Sequence, residues 1–148
     1  MKLDQFLELF NPLPGNHYLQ VCTQKDEISK SLEKILDGVG GEFKLILYNK
    51  DHLNFSQPFR ALPRENDSVI LQDVLSSHKN PDMLIKIAYT TLANTADIIL
   101  LEKKENMSIE QMKELLEKHE FRAINDIDIL KEYYLVMAKK MHMWGNGL

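Results

Sequence analysis

Apolar positions along the chain alternate between helical and strand-like spacing. Leu3, Phe6, Leu7 and Phe10 predict a short amphipathic helix over 3–10, which Asn11-Pro12-Leu13-Pro14-Gly15 breaks. His17 to Val21 is a short β-prone run. Thr23 to Asp26 reads as the cap of a second helix, whose face carries Ile28, Leu32, Ile35, Leu36 and Val39 until Gly38, Gly40 and Gly41 stop it. Phe43 to Tyr48 is apolar enough for a buried strand. Asn49 to Pro63 is a polar, proline-punctuated connection with room for one short strand near Phe59.

The pattern then repeats. Ser68 to Val74 predicts a buried strand. Asn80-Pro81 suits a cap and first helical position, and Met83, Leu84, Ile87, Ala88 and Leu92 form the stripe after it. Ala96 to Leu101 is a strongly apolar strand. Ser108 with Gln111 predicts a capping box ahead of Ile109, Met112, Leu115 and Leu116. Phe121 to Ile129 and Tyr133 to Ala138 close the chain as two successive strands. Alternation of this kind predicts an α/β, Rossmann-like fold: a mostly parallel central sheet, helices on both faces and a C-terminal antiparallel hairpin. No linker divides it, so residues 1–148 are expected to form one domain, with 1–14 leading into it.

Composition narrows the function without naming it. The 22 acidic and 18 basic residues leave a net charge of -4, which argues against general nucleic-acid binding. A lone cysteine excludes an internal disulfide and a cysteine metal knuckle. No apolar run reaches the ~20 residues of a membrane span, and Met1 to Pro12 lacks a secretory apolar core. The expectation is a reduced, cytoplasmic protein with neither a metal nor a membrane partner.

Several segments in order carry a resemblance. Leu9-Phe10-Asn11-Pro12-Leu13-Pro14-Gly15, then Leu19 and Val21, resembles the lead-in to the first strand of class I S-adenosylmethionine-dependent methyltransferases. Arg60-Ala61-Leu62-Pro63 and then Asp67-Ser68-Val69-Ile70 are similar to that family's passage from third strand to fourth. Asp73-Val74-Leu75 with His78 is similar to the family segment just after the fourth strand. Ile87 to Glu102 resembles its next helix and strand, with Ala93-Asn94-Thr95-Ala96 in place of a glycine turn, and the helix at 108–119 and the strands after it match the last third. The resemblance implies a methyltransferase fold, reduced in size because Asn49 to Phe59 offers no clear counterpart of one family helix.

It also implies where S-adenosylmethionine would sit, and there this chain departs from the pattern. The first-strand acid position holds Gln20, and the next loop, Cys22-Thr23-Gln24-Lys25-Asp26, contains no glycine. Glycines there let the backbone approach a ligand, and every residue present carries a Cβ instead. The ribose-binding acid position falls at Tyr48 or Asn49, and the adenine-side position at Arg60, whose guanidinium only donates. Gln20, Cys22, Gln24, Asn49 and Arg60 are therefore read as vestigial cofactor positions. The expected protein is methyltransferase-like, has lost S-adenosylmethionine and acts as a non-catalytic binding or assembly subunit, with a protein partner or self-association. The alternative is a small S-adenosylmethionine-dependent methyltransferase with a non-standard pocket.

Other candidate chemistry is sparser. Asp73 and His78 could meet at the sheet's C-terminal edge as an acid–base pair, against the plainer reading of two loop residues. Cys22 is either a thiolate activated at a helix N-terminus or a small buried side chain. Lys25 with Arg60 could receive an anion. His17, His52, His78, His119 and His142 show no zinc-site spacing. Met141, Met143 and Trp144 in the tail either cover the domain's own core or anchor a partner.

Overall fold

A computed structural model of the chain describes residues 2–48 and 62–141. The connection around Asn49 and Arg60, the short strand expected near Phe59, His52, and the tail with His142 and Trp144 lie outside them.

Among the described residues six strands form one sheet: β1 (His17–Cys22), β2 (Glu42–Leu47), β3 (Asn66–Gln72), β4 (Leu92–Lys103), β5 (Arg122–Ile127) and β6 (Tyr133–Lys139). Their spatial order is β2-β1-β3-β4-β6-β5. The first four run parallel, while β6 lies antiparallel between β4 and β5. The helices are α1 (Asp4–Leu7), α2 (Glu27–Gly38), α3 (Pro81–Thr91) and α4 (Ile109–Lys118).

Strand periodicity sorts the core into two layers. Leu19, Val21, Val69, Leu71, Ile98 and Leu100 point to one face, where Leu84, Ile85 and Ala88 of α3 and Met112 and Leu116 of α4 cover them. Tyr18, Ile70, Ile99 and Leu101 point to the other, beneath Phe6 of α1 and Ile28, Leu32 and Leu36 of α2. The placement follows from right-handed crossovers: β1–α2–β2 and β3–α3–β4 leave the sheet's centre in opposite directions, so their helices land on opposite faces.

Four sequence expectations change. The helix over 3–10 shortens to the single turn of α1, whose N-cap Leu3 makes no side-chain cap bond. Pro12 disfavours helical backbone at Asn11, and Phe10 packs its ring on Phe6 and Tyr18 instead, at 5.1 and 5.7 Å. The run 43–48 is a half-exposed strand rather than a buried one, because β2 lies at the sheet's edge among the described residues. Asn80 makes no side-chain cap bond to α3. Finally, β4 starts at Leu92, directly after α3, so Ala93 to Ala96 belong to a strand. Glycine-like backbone survives there only at Thr95, with φ 70°, within the irregular register between Asn66↔Leu92 and Ser68↔Asp97.

Local signals set the remaining ends. Gly40, at φ 73°, turns the chain out of α2. Gly41 sits so close to Leu36 and the Asn16 carbonyl that an added Cβ would lie 2.6 Å from Leu36 Cδ1. Ser108 and Gln111 form the expected reciprocal capping box on α4. Ser108→Ala is expected to cost about 1 kcal/mol, read from the urea midpoint. A change below ~0.3 kcal/mol would show that the box adds nothing.

Candidate functional site

Ligands of open α/β sheets bind beyond the C-terminal strand ends, where the winding direction reverses. Here that crevice lies past the ends of β1 and β3.

Side chains of this chain bridge it. Gln20 is fully buried on β1, and its Nε2 donates to Gln72 Oε1 at 2.6 Å. Gln72, which ends β3, donates from Nε2 to Asp26 Oδ2 at 2.7 Å and to the Tyr133 hydroxyl at 3.3 Å. Tyr133 in turn donates to Asp73 Oδ2 at 2.9 Å. Asp26 is the N-cap of α2, and its Oδ1 accepts the N–H groups of Ile28 and Ser29 at 2.9 and 3.2 Å. The helix N-terminus, an attractive position for an external anion, is thus satisfied by the chain's own carboxylate. Two acceptors of the network, Gln20 Oε1 and Asp73 Oδ1, are buried with no hydrogen-bond partner.

Asp73 leaves β3 in left-handed backbone, φ 59°, and its N–H donates to the Leu101 carbonyl at 2.9 Å. Burial raises its carboxyl pKa, opposed by the Tyr133 hydrogen bond. Burial likewise pushes the Tyr133 hydroxyl well above its ordinary value, so it stays a donor. Beside them, near the end of β4, Glu102 is fully buried. Its Oε2 accepts the Leu75 N–H at 3.1 Å. Burial pushes the Glu102 carboxyl up to about 7; hydrogen bonding from Ser76 works against this and the charge of Asp73 adds to it.

The expected site residues fare differently. Gln20 lies in the crevice. Cys22 is buried at the end of β1, its thiol donates to the Gln24 carbonyl at 3.2 Å, and burial raises its pKa, which describes a packed thiol rather than a nucleophile. Gln24 is exposed and enters through its backbone alone. Lys25 pairs with Glu33 at 3.6 Å. Asp73 is in the crevice, but its hydrogen bond goes to Tyr133 rather than to His78. His78 instead accepts the Asn80 N–H on Nδ1 at 2.8 Å, and burial lowers its pKa. Asn49 and Arg60 lie outside the described residues. No cluster of histidine, cysteine and carboxylate side chains suited to a metal occurs among the described residues. Likewise, no helix among them is long and apolar enough to cross a membrane.

Sequence reading missed Asp26 as a bridge member, and also Gln72, Glu102 and Tyr133. The signal was present for two of them: Gln72 and Glu102 are polar residues closing the apolar runs SVILQ and ADIILLE. Tyr133 carries none, because only antiparallel insertion of β6 beside β4 brings its hydroxyl to Asp73. A cavity of about 960 Å³ opens next to the bridge, between α1, the N-terminus of α2 and the β5–β6 turn, with Asp26 and Tyr133 in its wall.

No family model and no curated protein matches the chain. Solved structures do match. A SAM-dependent methyltransferase from Aquifex aeolicus superposes with a TM-score of 0.77 at 13% identity, over 93% of this chain and 89% of that one. Phosphoethanolamine N-methyltransferase 2 of Haemonchus contortus, in complex with S-adenosyl-L-methionine, gives 0.68 at 10% identity over 93% of this chain. The chain spans about half of that enzyme, 51%. The cyclase SpnF gives 0.67 at 11% identity, over 95% of this chain and 80% of that one. The chain therefore has the class I S-adenosylmethionine-dependent methyltransferase fold, on which more than one reaction is found.

Proposed function

We propose that this methyltransferase-fold chain no longer takes S-adenosylmethionine beyond β1 and works as a non-catalytic binding or assembly subunit. The observation that carries the reading is the bridge from Gln20 through Gln72 to Asp26, which joins β1, β3 and the N-terminus of α2 by bonds of 2.6 and 2.7 Å. A nucleoside entering there would have to break both bonds and strand buried amides without partners. Each buried polar group left unsatisfied costs about 1–3 kcal/mol. The residues present do not fit the cofactor, since the loop 22–26 has no glycine and Asp26 already caps the helix that would face it.

Calorimetric titration tests this. Neither S-adenosylmethionine nor S-adenosylhomocysteine is expected to bind with a Kd below about 100 μM, an affinity of about 5.5 kcal/mol. Low-micromolar binding of either overturns the reading. Capture of a specific partner, lost on changing exposed residues but kept on changing the crevice, supports the assembly role.

A second reading, a small methyltransferase with a rebuilt pocket, is favoured by the cavity beside Asp26 and Tyr133. In it Gln20 and Asn49 stand around the cofactor and Asp73 or His78 faces a substrate. Ultraviolet absorbance of nucleoside released from denatured, purified protein is the result it requires.

A further inference from the structure

We draw no further inference here: the strongest candidate, the apolar outer edge of β2, where Leu47 is exposed and Phe43, Leu45 and Ile46 are half-buried, carries nothing because nothing among the described residues shows what covers it.

Discussion

Asp26→Ala is expected to destabilise the protein by about 3 kcal/mol, although the residue is only half-buried and sits in a loop. Two losses add. The N-cap of α2 disappears, leaving the N–H groups of Ile28 and Ser29 without their acceptor; such a loss costs about 1 kcal/mol. Gln72 Nε2 loses its 2.7 Å acceptor in a position that is 2% exposed; a buried donor left unsatisfied costs about 1–3 kcal/mol. Asp26→Asn separates the cap from the bridge: asparagine caps helices as well as aspartate through the oxygen that accepts from Ile28 and Ser29, but its NH2 group replaces the oxygen that accepts from Gln72. It should recover only the capping share, about 1 kcal/mol. Urea midpoints measured on the three proteins decide the matter. A loss under about 1 kcal/mol for Asp26→Ala would mean that the strand ends are not held by this side chain. The proposed function would then lose its main support.

Stability is expected to fall between pH 4.5 and 7 on account of Glu102, and Glu102→Gln should abolish that fall. The carboxyl has a folded pKa of about 7, above its ordinary 4.5, chiefly because burial disfavours the charged form. In this interval the folded state therefore binds more protons than the unfolded one. The contribution is fully present below the unfolded pKa and is lost as pH rises through the folded one. The loss approaches about 3 kcal/mol. Asp73, raised in the same direction by burial, adds a smaller slope of the same sign. Glutamine keeps an acceptor for the Leu75 N–H and carries no charge, so the variant should exceed the parent in urea midpoint at pH 8 and approach it at pH 4.5. Equal midpoints at pH 8 would show that water or rearrangement of the 73–78 turn already relieves the buried charge.

The two effects locate the protein's unusual chemistry at one edge of the sheet. Carboxyl groups at the ends of β3 and β4 and a pair of buried glutamines occupy positions where an open α/β sheet ordinarily receives a ligand. A buried polar network of this kind rigidifies its surroundings only when its members are satisfied. The unpartnered Gln20 Oε1 and Asp73 Oδ1 mark where it is incomplete.

The amino-acid sequence by itself determined the layered α/β architecture. Periods of two and near 3.6 along the chain select strand and helix, and their alternation dictates parallel pairing with helices on both faces. It also determined the absence of a glycine-rich loop after β1, visible in residues 22–26 alone. Helix ends with a strong local signal, such as the Ser108 box, were equally legible because their partners lie three residues away. Tertiary structure alone decided what replaced the missing loop. Gln20 and Gln72 are 52 positions apart, Gln72 and Asp26 are 46, and Asp73 and Tyr133 are 60. No local period reports such pairs. It likewise decided that β2 is a half-exposed edge among the described residues and that Glu102 lies buried, its carboxyl pushed up to about 7. The reason is common to all of them. Hydrophobic periodicity records which way each side chain faces, whereas a strand's neighbours, a carboxyl's burial and a hydrogen bond across the sheet arise only when distant segments are brought into register.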